Sequence, residues 1–428
     1  MSKKKVSNDG ERFKDSLIKV SKEVDKLPQD VTKVDYANST VKGTMVEWEL
    51  RKLGGFNALK NMYFPPEHNI VVQSGSKLLR SHRNRIENTY GKEIFFKEEF
   101  LAVFKEVMEN NPIKLHSPTK PIKKTNDTKI SRAIVAHFSD THFGCNIDKG
   151  ELAGINEFNW TIAARRTAFF MDQVVTYKPQ YRDNTELFLL INGDIIAGVI
   201  HDQEWAVDLL TTQFAGTLSI FGQAITYAAQ HYKKVTVVCT PGNHGRAMHK
   251  TNKGRASVHK WDSYENMIFI ALKNMLASYK NVGFVIPESP YAIFDIQGHK
   301  FLQTHGDTVI NVGNPGKNID MRSINDQINK VNSQLLTGEE NFAAIIVGHV
   351  HVPTIQLTDS GTTLLINGTL SGVDAFAQSI GILSSHPTQT LFEVVPGHAV
   401  GDTRIIHLKN ADNKTELDKI IKPFEGKF

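Results

Sequence analysis

Along residues 131–370 short apolar runs of β character alternate with longer stretches of helical period. AIVAHF (133–138), LFLLIN (187–192), VTVVCT (235–240), GFVI (283–286), YAIFDI (291–296), FLQTH (301–305), AAIIVG (343–348) and LLING (364–368) read as strands. Helical patterns fall between several of them, over 161–177, 205–230 and 261–279, and residues 320–340 read as a further helix. That alternation predicts an α/β layered core. Beyond residue 376 the sequence reads as closing β structure followed by a frayed, Lys-rich end.

The first third has a different period. Phe13, Leu17, Val20, Val24 and Leu27 fall near helix spacing, as do Phe96, Phe100, Val103, Phe104 and Val107. TMVEWELRKLGGFNALKNMYF (44–64) reads as two short helices joined at Gly54-Gly55, an outline shared by helix-turn-helix modules and any αα-hairpin. Residues 111–130, with three prolines, five lysines and little periodicity, are the best linker. The expected organisation is a small helical N-terminal domain over 1–110, a linker over 111–130 and an α/β domain over 131–428.

Length agrees with two domains, since 428 residues bury a substantial core. Charge sharpens the division. Residues 1–130 carry 25 Lys and Arg against 17 Asp and Glu, a net of +8, whereas residues 131–428 carry 25 against 28, a net of −3. A positive module joined to a nearly neutral one points to a polyanionic partner, with a solvated face as the plainer alternative. Cys145 and Cys239 sit in no CxxC and build no disulfide framework, which suits packed thiols in a reducing compartment. The N-terminus MSKKKVSNDG leads into no apolar segment, and the runs LFLLI and AAIIV are too short to span a bilayer, so a cytoplasmic protein without membrane contact is expected.

Chemistry enters at the strand ends. AIVAHF runs into Asp140 and His142, LFLLIN into Asp194, VTVVCT into Asn243 and His244, FLQ into His305, and AAIIV into His349 and His351. Carboxyl ends of strands in an α/β sheet face one crevice, so these side chains can converge. Gly193, Gly242 and Gly348 beside them permit sharp turns and close approach. Carboxylates, a carboxamide and imidazoles without sulfur suit manganese, iron or zinc. The count exceeds what one ion takes and predicts two divalent ions, manganese foremost with iron or zinc as alternatives; such a pair, about 3.5–4 Å apart, clamps a phosphoryl group. His137, inside its strand, reads instead as a hydrogen-bonded core residue.

The ordered series DTH, GD, GNH, THG and GHVH resembles the calcineurin-like metallophosphoesterase superfamily over about residues 132–375. INGTLSGVDAF (366–376), HPTQTLFEV (386–394) and GNHGR (242–246) are further similar to members encoded by bacteriophages and prophages. The resemblance implies two packed mixed β-sheets flanked by helices. It also implies that Asp140, His142 and His351 hold one ion, that Asn243, His305 and His349 hold the other, and that Asp194 bridges them. His244 then stands where the family keeps a histidine that stabilises the transition state or protonates the leaving oxygen. Many relatives follow GNH with Asp or Glu, whereas Gly245 and Arg246 follow here, so the partner that orients His244 must come from elsewhere. The sequence GDIIAG also lacks the Asp-Arg-Gly of phosphoprotein phosphatases.

From Arg246 to Lys260 the chain reads RAMHKTNKGRASVHK, basic and free of acids. Arg246, Lys250, Lys253 and Arg255 are therefore candidate contacts to substrate phosphates. A nuclease or nucleic-acid phosphodiesterase is the favoured reading. A phosphomonoesterase or cyclic-nucleotide phosphodiesterase is the alternative, and a DNA-binding factor with a residual metal site is a third. No feature of the sequence marks a protein-partner or oligomer surface.

Overall fold

The computed structural model describes residues 109, 112–118, 130–200, 207–246, 260–313, 319–336, 340–374, 378 and 386–425. Apart from Glu109, the expected helical domain over 1–110 lies outside the described residues, as do residues 111 and 119–129 of the expected linker.

Two mixed sheets form the centre. In the first, β1 (Arg132–Phe138), β2 (Thr185–Asn192), β3 (Val235–Thr240) and β4 (Val282–Val285) run parallel, and β10 (Thr388–Val394) and β11 (Thr403–His407) close the edge antiparallel, in the order β11-β10-β1-β2-β3-β4. The second sheet has the order β5-β6-β7-β9-β8. Its strands are β5 (Tyr291–Ile296), β6 (His299–Thr304), β7 (Ala344–Val347), β8 (Thr354–Leu357) and β9 (Thr363–Ile366). Here β6, β7 and β9 are parallel and the two edge strands antiparallel.

Strand periodicity sorts the apolar residues between faces. Ile134, Ala136 and Phe138 of β1 join a cluster with the helices α1 (Trp160–Thr176), α2 (Leu210–His231) and α3 (Tyr264–Met275). Ala133 and Val135 point the other way, into an inter-sheet cluster with Phe188, Val238, Phe294, Phe301 and Ile346. Because β1 and β2 are covered on both sides, they read as unbroken apolar runs. On the outer face of the second sheet, Ile324, Ile328 and Val331 of α4 (Met321–Leu335) pack against Leu302, Ile345 and Val347. The two sheets flanked by helices are the arrangement the resemblance implied.

Cap chemistry sets where the helices begin. Asn159, Ser263 and Asp320 precede α1, α3 and α4, and each side chain accepts a backbone N–H of the first turn. Ser263 thereby starts α3 two residues before the buried Glu265.

The end of the chain corrects the expectation of a frayed tail. Residues Lys409–Ala411 and Thr415–Lys419 form 3₁₀ turns, and Leu408, Ala411, Leu417 and Ile421 are buried in the same core as α1. The fully buried Arg166 of α1 holds this segment. Its Nε donates to Asp412 Oδ1 at 2.7 Å, and its Nη1 donates to the carbonyls of Leu370 and Ser371. Breaking one side of such a pair costs about 3–5 kcal/mol, because the remaining charge is left buried alone. Apolar contacts from Ile113 and Leu115 also reach this core. Cys145 and Cys239 are buried free thiols, pushed up by that burial. Among the described residues no helix is long and apolar enough to cross a membrane.

Candidate metal centre

All eight side chains expected at the site follow strand ends on one rim of the two sheets. Asp140 and His142 follow β1, Asp194 follows β2, and Asn243 and His244 follow β3. His305 follows β6, and His349 and His351 follow β7. The backbone there is unusual. Asp140, His142, Asp194, His349 and His351 have φ between 45° and 75°, and they are five of the eight non-glycine residues with positive φ among those described. Such conformations cost about 1–3 kcal/mol each and persist where the surroundings impose them. Glycine is required where two loops touch: a Cβ on Gly193 would lie 2.6 Å from Gly242 Cα and 2.7 Å from His305 Nδ1.

Two groups of side chains come together. Asp140, His142 and His351 form one, and Asp194, His305 and His349 the other, with the potential ligand atoms of each within 4.8 Å of one another. Each group takes residues from both sheets. In the first, His142 Nε2 lies 3.2 Å from His351 Nε2, which in turn is 3.4 Å from Asp140 Oδ1. In the second, His305 Nε2 is 2.9 Å from Asp194 Oδ2 without the geometry of a hydrogen bond. The other ring nitrogen, Nδ1, is 3.0 Å from the Asn192 carbonyl and donates to it, which aims Nε2 into the site. Asn243 Oδ1 is buried with no hydrogen-bond partner among the described residues. An orphaned carbonyl oxygen costs about 1–3 kcal/mol unless a hydrogen-bond donor or a cation meets its lone pair. This donor set fits divalent ions.

His244 stands beside both groups and belongs to neither. Its backbone N–H donates to Asp194 Oδ1 at 2.7 Å, and its Nε2 lies 3.9 Å from Asp194 Oδ2. The ring meets that of His142 edge to face, 4.6 Å between centroids. The partner that orients it is a backbone atom, the Ala197 carbonyl, 2.9 Å from Nδ1. With Nδ1–H donated there, Nε2 is the nitrogen left to exchange a proton.

Electrostatics follow from burial and crowding. Burial would raise the Asp140 carboxyl, but the hydrogen bond and charge of His351 bring it down to about 2. Asp194 is likewise opposed by burial, yet His305 and His244 hold it well below the usual carboxylate range. Burial pushes His305 down, and the charges of Asp194 and Asp140 outweigh it and lift the imidazole to about 9. Burial, then His305, lower His349 to about 4.

Other expected residues are placed differently. Arg246 Nε donates to the Asn243 carbonyl at 2.7 Å, so this guanidinium is tied to a candidate ligand's backbone. Lys250, Lys253 and Arg255 lie outside the described residues. Lys260, at the end of that basic run, is buried in an ion pair with Asp307. His137 is buried with Nε2 3.2 Å from Asn192 Nδ2, an internal residue of β1. Glu265 was not expected. This fully buried carboxyl accepts from Ile195 N at 2.8 Å and from Gly242 N at 2.6 Å. Burial, then the charge of Asp194, push it up to about 7.

A family profile described as Calcineurin-like phosphoesterase matches residues 134–353. The chain belongs to this family, and the matched stretch carries every candidate ligand. Solved structures to which the chain is similar include a 5′-nucleotidase from Candida albicans, at 13% identity over 71% of this chain and 56% of that one, with a TM-score of 0.33. A dimetal phosphatase from Danio rerio is 8% identical over 66% of this chain and 100% of that one, with a TM-score of 0.30. The phosphopantetheinyl hydrolase of Mycobacterium tuberculosis is 11% identical over 64% of this chain and 99% of that one, with a TM-score of 0.27. Comparison with curated proteins returns no match.

Proposed function

We propose that this protein is a phosphoesterase that uses two divalent ions, manganese foremost, to hydrolyse phosphodiester bonds of nucleic acid. Asp140, His142 and His351 would hold one ion and Asn243, His305 and His349 the other, with Asp194 shared between them. The observation that carries this reading is the pairing of two ligand groups with His244 at their side. Divalent ions bound there supply Lewis acidity at a phosphoryl oxygen and a nucleophile drawn from water near neutral pH. His244 donates a proton from Nε2 to the departing alkoxide, its ring held by the Ala197 carbonyl. Arg246, whose Nε donates to the Asn243 carbonyl, would meet a flanking phosphate.

Nucleic acid is favoured as substrate by the net charge of +8 on residues 1–130 and by the basic run beginning at Arg246. The strings resembling phage-encoded members suggest the cytoplasm of an infected cell as the setting. Raising salt from 50 to 200 mM should weaken nucleic-acid binding by about 10³-fold if six phosphates are contacted. Hydrolysis of a small chromogenic diester should change little over the same range. Equal, salt-insensitive turnover of mononucleotides and polynucleotides would favour the small-molecule alternative.

His305 gives the second test. At pH 7.5 the metal-free imidazole, with its pKa lifted to about 9, carries a proton that a ligand nitrogen must lose. Against its burial, His351 is raised too, by the hydrogen bond and charge of Asp140, so Mn²⁺ binding should release at least about one proton, and affinity should rise with pH at least about tenfold per unit up to the pKa of His305. Calorimetry in two buffers of different ionisation enthalpy measures the release; no release at pH 7.5 would remove His305 from the ligand set.

A further inference from the structure

Glu265 lies in the first turn of α3 and takes no part in the reaction above. Its two oxygens serve two different loops. Oε1 accepts from Ile195 N, the amide just after Asp194, and Oε2 from Gly242 N, the amide just before Asn243. One helical side chain therefore fixes the separation of the β2 and β3 exits, where a shared carboxylate, a carboxamide and His244 all stand.

Gly245 explains how the glutamate gets there. A Cβ on residue 245 would lie 2.5 Å from Glu265 Cγ and 2.9 Å from its Cδ, so Glu265 fills the volume that a side chain at 245 would claim. The backbone at Gly245 is not left-handed, so its conformation makes no demand for glycine. The Tyr264 N–H also donates to the Gly245 carbonyl at 2.8 Å, bringing the start of α3 against this loop.

We propose that Glu265 is the positioning residue for Asp194, Asn243 and His244, and that residue 245 is glycine to admit it. Only the activity readout of this proposal rests on the phosphoesterase reading. A glutamate carried on residue 245 would enter the same volume and reach the same two amides, so the carboxylate should be movable from one residue to the other.

The test uses the full chain and four variants: Glu265→Gln, Glu265→Gly, Gly245→Glu, and the double variant Gly245→Glu/Glu265→Gly. Glu265→Gln keeps the side-chain volume but turns an NH₂ toward a backbone N–H. It should lower kcat on a chromogenic diester about tenfold or more with KM changed less than about threefold, and weaken Mn²⁺ binding about tenfold. Glu265→Gly and Gly245→Glu should each lose more. The double variant should recover both kcat and Mn²⁺ affinity to within about tenfold of the wild type, the non-additivity expected of side chains sharing one space. A double variant no better than the worse single variant overturns the proposal, as does a Glu265→Gln protein with unchanged kcat and Mn²⁺ affinity. If the wild type binds Mn²⁺ but hydrolyses no phosphodiester, the phosphoesterase reading fails, and the pattern of Mn²⁺ affinities alone upholds or overturns the role of Glu265.

Discussion

Replacing His244 with alanine is expected to lower kcat by about 10²–10⁴-fold, the usual contribution of a positioned general acid, while leaving Mn²⁺ stoichiometry unchanged. The separation of effects follows from where the ring sits. His244 belongs to neither ligand group, and the backbone N–H by which it touches Asp194 survives truncation to alanine. The loss should depend on the leaving group. A nitrophenolate departs without much help, so the deficit should lie near the lower end of that range; a nucleoside alkoxide needs its proton, and the deficit should approach the upper end. Turnover of a nitrophenyl diester and a dinucleotide by the same preparation, with metal content measured in parallel, distinguishes an acid from a ligand. Equal losses on both substrates, or loss of an ion, would remove His244 from the acid role.

Asp194→Ala should be the more damaging change, with activity lowered by more than about 10³-fold and at least one ion lost, if the proposed sharing of Asp194 between two ions holds. It should also alter the metal-free protein in a pH-dependent way. The pKa of His305 is raised in the fold to about 9, against about 6.5 unfolded, largely by Asp194 once burial is overcome. A group with a raised pKa adds stability that is complete below the unfolded value and fades as pH climbs through the folded value. Chelated Asp194→Ala should therefore melt lower than chelated wild type at pH 6, and the gap should close by about pH 10. A gap that is constant across this range would mean that the carboxylate contributes by packing alone.

Much of this site was legible because the strands that carry it are covered on both faces. Such strands give unbroken apolar runs, and the polar residue that ends each run stands out: Asp194 after LFLLIN, His349 after AAIIVG. What remained hidden has no such signal. The atom that orients His244 is the Ala197 carbonyl, and a main-chain acceptor leaves no trace in residue type. Glu265 sits in an amphipathic helix, twenty-three residues from the Gly242 amide it binds, where glutamate in a first turn looks like ordinary helix chemistry. Arg166 resembles its neighbour Arg165, yet one is fully buried and the other partly exposed, because only the fold brings Asp412 and the Leu370 carbonyl around it. Lys260 read as the end of an exposed basic run, and Asp307 draws it inside.

The two triads, each one aspartate and two histidines, share a further property: Asp140 and His142 meet His351 across the sandwich, and Asp194 meets His305 and His349 the same way. An ion seated in either would act as a rivet through two plates. The apolar attraction that holds the plates together has no preferred direction of its own. Coordination bonds are directional, and at the rim they would lock the seam against sliding. The site that would cut phosphodiesters would thereby also fasten the two plates in register.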